Sequence, residues 1–124
     1  MRRSWQAGLV ALGLTVVAVA ARADGCLSCV DQLPLAPGLV ETADSCLNFD
    51  TAAGRVAQAE ARGTVPVTEV RAFYRSVLPA FGWNLLDPDA LDATRSGERL
   101  KISVEVTEGN ELRVHYALAP SPGN

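Results

Sequence analysis

The sequence predicts an α+β domain: one main helix packed on an antiparallel sheet, in the order strand(s), helix, meander, with an extended N-terminal arm in front. Three observations carry this prediction. Val67, Val70, Phe73, Tyr74, Val77, Leu78 and Phe81 recur at the i, i+3, i+4, i+7 spacing of a one-sided helix. Leu100 to Val106 and Leu112 to Leu118 alternate apolar with other residues, as half-buried strands do. Cys46-Leu47-Asn48-Phe49-Asp50 alternates in the same way ahead of the helix.

Composition sets the outer bounds. The chain has 124 residues, of which 48% are hydrophobic and 20% charged, enough apolar material for a folded core and too much for a disordered chain. One histidine, one methionine and three cysteines leave few parts for metal or redox chemistry.

Residues 1–23 have the order of a secretory signal peptide. Arg2 and Arg3 precede an uncharged apolar run from Ala7 to Ala21, and Ala21-Arg22-Ala23 places small residues at −3 and −1 before Asp24. The run is shorter than the about 20 residues of a spanning helix. Ala18-Val19-Ala20 is a second usable cleavage site. Cys26 follows closely, but Asp24 between Ala23 and Gly25 argues against lipid attachment. Removing the three arginines of this segment takes the formal net charge from −3 to −6. An acidic domain repels phosphate backbones, so nucleic acid is not an expected partner, and no membrane span is expected after cleavage.

Residues 24–45 form the arm. Pro34, Pro37 and Gly38 favour extended chain over helix, and Leu35, Leu39 and Val40 are available to pack on the domain. Cys26, Cys29 and Cys46 all lie near its ends. Export places them where disulfides persist, and an odd count leaves one thiol free or joins two chains as a disulfide-linked dimer. Cys26–Cys46, Cys29–Cys46 and Cys26–Cys29 are the three candidate bridges. Two sharper readings exist. A redox role for Cys26-Leu27-Ser28-Cys29 needs a helix N-terminus to lower the thiol pKa, and Pro34 and Pro37 follow instead. A zinc site would combine Cys26, Cys29 and Cys46 with His115. No cofactor is expected on the favoured reading.

The α+β domain is expected over 46–119. Thr51 to Gly54 turns the chain, and Arg55 to Arg62 reads as a second strand or, by its alanines, as helix; strand is preferred. Pro66 opens the main helix, and Pro79 with Gly82 closes it. Arg71 and Arg75 lie one turn apart, a solvated face or an interaction surface for an acidic partner. Trp83 and Leu85 begin the meander, Asp87-Pro88-Asp89 turns it, and Ser96-Gly97 suits a two-residue hairpin setting Ala93 opposite Leu100 and Leu91 opposite Ile102. A three-residue loop, Glu108-Gly109-Asn110, pairs Val106 with Leu112, Glu105 with Arg113 and Ser103 with His115. Any other parity would turn Val106 onto the polar face. Phe73, Val77, Phe81, Trp83, Ile102, Val104, Val114 and Tyr116 are the expected core, and 120–124 a disordered tail.

Phe73-Tyr74, Leu78-Pro79 and Gly82-Trp83, then Gly97-Glu98-Arg99-Leu100 and a β-hairpin, resemble a group of small exported bacterial proteins and lipoproteins, most of them uncharacterised. In that group a strand precedes a helix ending in a Gly-Trp corner, and a meander follows. Asn48-Phe49-Asp50-Thr51 through Gly54-Arg55 fits the same pattern. The resemblance spans about Leu33 to Ala119, and the shape is similar to the small domains of outer-membrane assembly lipoproteins. It implies the fold and an envelope location. It transfers no catalytic residue and does not include the cysteines.

Catalytic constellations are weak. His115 is the sole histidine and falls by parity on the solvent face beside Ser103, flanked by charges, where an exposed cross-strand polar pair explains the two better than a catalytic triad. Asp87 and Asp89 are explained by the turn around Pro88. The sequence therefore reads as a non-catalytic periplasmic or secreted protein that binds a protein or envelope component. The alternative is a redox or metal-handling protein using the cysteines.

Overall fold

A computed structural model describes residues 25–30 and 32–121. The signal segment expected at 1–23 lies outside them, as do residues 122–124 of the expected tail. The elements run β1 (Val40–Glu41), β2 (Leu47–Thr51), β3 (Gly54–Gly63), α1 (Val67–Ala80), β4 (Asn84–Asp87), β5 (Asp92–Arg95), β6 (Glu98–Val106) and β7 (Leu112–Pro120). All strands join one antiparallel sheet in the order β1-β3-β7-β6-β5-β4, with β2 also on β3. The α+β class and the strand, helix, meander order are therefore as expected, and Arg55 to Arg62 is strand.

Both β1 and β2 pair with the side of β3 that faces away from β7, so they lie end to end along one edge. Ser45 fills the gap between them. The Glu60 N–H donates to Ser45 Oγ at 3.1 Å, and that hydroxyl donates back to the Glu60 carbonyl. The Glu60 carbonyl also accepts from the Thr42 N–H at 2.8 Å, so the Ser45 side chain stands in for a strand partner at the Glu60 N–H.

Helix α1 crosses one face of the sheet and carries the chain from β3 to β4 on the far edge. Pro66 precedes its first turn with an extended ψ of 141°, and Glu69 complements the positive helix end. Gly82, at φ +89°, ends it: its N–H donates to the Pro79 carbonyl and the Trp83 N–H to the Leu78 carbonyl, both at 3.0 Å.

The core lies between α1 and the inward residues of the sheet: Ala57, Ala59 and Ala61 of β3, Leu112 to Leu118 of β7 at every second position, and Leu100 and Ile102 of β6. The helix buries Val70, Tyr74 and Leu78 most deeply. Phe73, Val77 and Val104 pack at the margin, and Phe81, expected inside, is exposed because it caps the helix at the turn into β4.

Residues 25–42 are not a loose extension. Gly25 to Leu35 fold back through turns, with Leu27 N–H bonded to the Leu33 carbonyl and Leu35 N–H to the Gly25 carbonyl. Leu27, Val30, Leu33, Leu35, Ala36 and Leu39 are all buried in the same core as the helix and sheet. Val40, expected to pack, points to solvent. In packing, the segment before residue 46 belongs to the same body as 46–119. At the other end Pro120 pairs with Glu98, and the Ser121 N–H bonds the Gly97 carbonyl at 2.7 Å, so the strand extends into the expected tail.

The meander follows the predicted register. Ala93 pairs with Leu100, the Ile102 N–H donates to the Leu91 carbonyl, and Ser96 and Gly97 take φ +51° and +81°. Val106 pairs with Leu112, Glu105 with Arg113 and Ser103 with His115. Asn110 takes φ +65°. The charge pairing differs, however. Arg113 Nε faces Glu60 Oε2 of β3 at 3.5 Å, because β3 flanks β7 on its other side and offers the competing carboxylate.

Candidate functional site

The cysteines divide two and one. Cys29 and Cys46 form a disulfide with Cα atoms 5.7 Å apart, and Cys26 is free and exposed. The bridge ties the turn after Leu27 to the start of β2. Two of the four donors of the imagined zinc set are thereby consumed. His115 lies on the open face of the sheet, with Nε2 4.0 Å from Glu60 Oε1. Among the described residues no three His, Cys, Asp or Glu side chains gather as a metal site.

The helix arginines also part company. Arg71 Nη1 donates to the Asp89 carbonyl at 3.0 Å and braces the β4–β5 turn, whereas Arg75 is exposed. They do not form a pair of free cations. Among the described residues, no helix is long and apolar enough to cross a membrane.

A buried polar cluster joins three parts of the fold. Tyr74 of α1 donates its hydroxyl to the Pro34 carbonyl at 2.7 Å and accepts from the Ala36 N–H at 3.2 Å. Its oxygen lies 2.8 Å from that of Tyr116 on β7, which must then be the donor. Burial pushes the Tyr74 phenol up to about 12. Burial and the neighbouring Tyr74 raise Tyr116 as well. Both phenols are neutral and satisfied, which suits a structural clasp.

The surface that stands out is the apolar side of β2, whose direction the alternation of Cys46 to Asp50 left open. Leu47 pairs with Gln58 and Phe49 with Val56, while the inward residues of β3 are Ala57, Ala59 and Ala61. Leu47 and Phe49 therefore share the open face, away from the helix, and are 55% and 53% exposed. Half-buried Val56 and the exposed alanines Ala117 and Ala119 continue this face. Alternation predicted the strand β2 but not which way its apolar side turns. The signal was present in parity: with Ala52-Ala53 as the hairpin turn and the odd-numbered alanines of β3 inward, Leu47 and Phe49 must point outward.

Two depressions adjoin these features. One, of about 430 Å³, lies beside Leu47 and is lined by Asp44, Ser45, Gln58, Glu60 and His115. The other, of about 360 Å³, sits between the N-terminal segment and the helix and is mainly apolar, lined by Ala36, Pro37, Val65, Glu69, Val70 and Phe73.

Comparison with known protein families, curated proteins and solved structures gives no match.

Proposed function

We propose that this chain is a small non-catalytic module of the bacterial periplasm or cell envelope, which binds a protein or envelope component through the open face of its sheet. The observation that carries the reading is the pair Leu47 and Phe49. Each is more than half exposed, and the two stand two residues apart on the same face of an edge strand. Apolar side chains grouped on a polar-rimmed face mark interaction surfaces. The signal-like N-terminus supports export, and the Cys29–Cys46 bridge suits an oxidising compartment. The likeness of the helix-to-strand corner to small exported proteins supports the same location.

Photo-crosslinking in cells tests the reading. A crosslinker placed at Phe49 should capture one discrete product, and one placed at Ser76, exposed on helix α1 on the opposite side of the sheet, should not. Equal labelling from both positions, or none from either, would overturn the assignment.

Cys26 favours a second reading. Its free thiol is three residues from Cys29, so thiol–disulfide exchange with the Cys29–Cys46 bridge is the chemistry a redox protein would use. Thiol titration and mass mapping of the exported protein separate the two readings. A mixture of Cys29–Cys46 and Cys26–Cys29 isomers supports exchange, and a single stable bridge rejects it.

A further inference from the structure

We propose that a second copy of this chain pairs antiparallel along the outer edge of β2, about a two-fold axis at Phe49. This deepens the binding-module reading, on which it rests, by naming the first occupant of that surface.

The two ends of the sheet differ. At one end, β4 is a four-residue strand whose pairing with β5 shifts register between Leu85 and Asp87. An irregular short edge of this kind resists further strand addition. At the other end, β2 pairs with β3 at five consecutive positions without a shift, and all five of its residues are exposed. It contains no proline and no lysine. Asp50 is its sole charge, so the edge is guarded only against partners that cannot satisfy a carboxylate.

The sequence of β2 satisfies that carboxylate itself. With the axis at Phe49, the middle of Leu47–Thr51, every residue of the strand finds a partner. Phe49 meets Phe49, Leu47 meets Thr51, and Asn48 meets Asp50 on both sides of the axis. The open face then brings the two aromatic rings together between leucine and threonine side chains. The threonine hydroxyl is already committed, donating to the Gly54 carbonyl at 2.8 Å within the hairpin turn. On the opposite face each Asn48 amide lies across from an Asp50 carboxylate, a donor against an acceptor. Other axes fail. One at Asp50 sets carboxylate against carboxylate. One at Asn48 sets Asp50 against Cys46, which is held in the disulfide. An axis between residues would turn the apolar face of one copy toward the polar face of the other.

The result is an isologous dimer with one continuous sheet across both copies. Its interface is small, in the class below about 1,200 Å² that is typical of weak and transient pairs.

Cysteine trapping in the full chain, carrying Cys26→Ser, tests the register. Phe49→Cys should give a disulfide-linked dimer quickly on mild oxidation. Leu47→Cys should not, because its symmetry mate is four residues along the strand, roughly 13 Å away, and a disulfide needs Cα atoms within about 7 Å. In parallel, the parent chain should sediment with a mass rising from monomer toward dimer with concentration. Phe49→Asp should remain monomeric with an unchanged melting temperature. A parent that stays monomeric to its solubility limit, or equal trapping at positions 47 and 49, overturns the dimer. If that happens while the Phe49 crosslink to another cell protein persists, self-pairing falls and the binding-module reading stands. A concentration-dependent dimer without any such crosslink leaves self-pairing standing and removes the wider reading.

Discussion

The phenol oxygens of Tyr74 and Tyr116 lie 2.8 Å apart, although one belongs to the helix and the other to the central strand β7. Their rings meet edge to face with centroids 5.9 Å apart. Tyr74 has the larger share of the bonding, because it also holds the Pro34 carbonyl and the Ala36 N–H of the N-terminal segment. The two tyrosines are therefore not equivalent.

Tyr74→Phe leaves the Pro34 carbonyl, the Ala36 N–H and the Tyr116 hydroxyl without their partner. Tyr116→Phe leaves Tyr74 with both backbone bonds intact. The first substitution should cost about 2–4 kcal/mol and the second about 1 kcal/mol. Urea unfolding of the two variants checks the order; a larger loss for Tyr116→Phe would contradict the bonding directions assigned above.

Alkaline pH should unfold the domain through the same pair. Tyr74 is raised from 10.0 to about 12 in the folded chain. The unfolded state thus releases its proton first, and stability from this group is complete below pH 10 and lost as pH rises from 10 toward 12. Two units correspond to about 3 kcal/mol. Tyr116, also raised, adds to the loss in the same direction. These are the chain's only tyrosines. Phenolate absorbance should therefore rise together with loss of circular dichroism, whereas phenolate appearing in a still-folded protein would refute the buried clasp.

The Cys29–Cys46 bridge closes a loop with a sequence separation of 17. Replacing both cysteines with serine should lower stability by about 3 kcal/mol in the chain-entropy picture. Cys26→Ser alone should leave the melting temperature unchanged, since that thiol is exposed and unbridged. Calorimetry of the two variants side by side decides the matter; equal melting temperatures would show that the bridge adds no stability.

Gly38 is a glycine whose replacement should be costly. It takes φ +92°, and an added Cβ would collide with Val65 Cγ1. Gly63 on β3 approaches it so closely that a Cβ there would strike the Gly38 carbonyl. Gly97 also has positive φ, but an added Cβ would meet open space. Gly38→Ala should cost at least about 2 kcal/mol and Gly97→Ala about 1 kcal/mol. Thermal melts compare them directly.

Sequence reasoning located the meander well because two constraints agreed there. Side-chain parity from Leu100 to Leu118 and the positive φ needed at Ser96-Gly97 and Asn110 left one register, and that register is present. The helix ends were legible for the same reason, through Pro66 and Gly82. The helix face was less so. Val70, Tyr74 and Leu78 lie deepest because the segment carrying Leu33 and Ala36 wraps the helix, and a contact without periodicity leaves no repeat to read. Tertiary competition hid the partner of Arg113, since parity showed Glu105 across the hairpin and not Glu60 on the other neighbour. The surface strip went unread because alternation in β2 shows one apolar side without saying which way it turns. In β2 the inward direction had already been set by the alanines of β3.

The buried N-terminal segment also fixes how the protein has to be handled. Leu27, Val30, Leu33, Leu35, Ala36 and Leu39 roof the part of the sheet that a single helix is too narrow to shelter. A clone started at Cys46, where the alternating strands begin, would lay that patch bare and come out of the cell as insoluble material. Fusion tags and protease sites belong upstream of Gly25, and trimming beyond that point removes the roof rather than a spare leader.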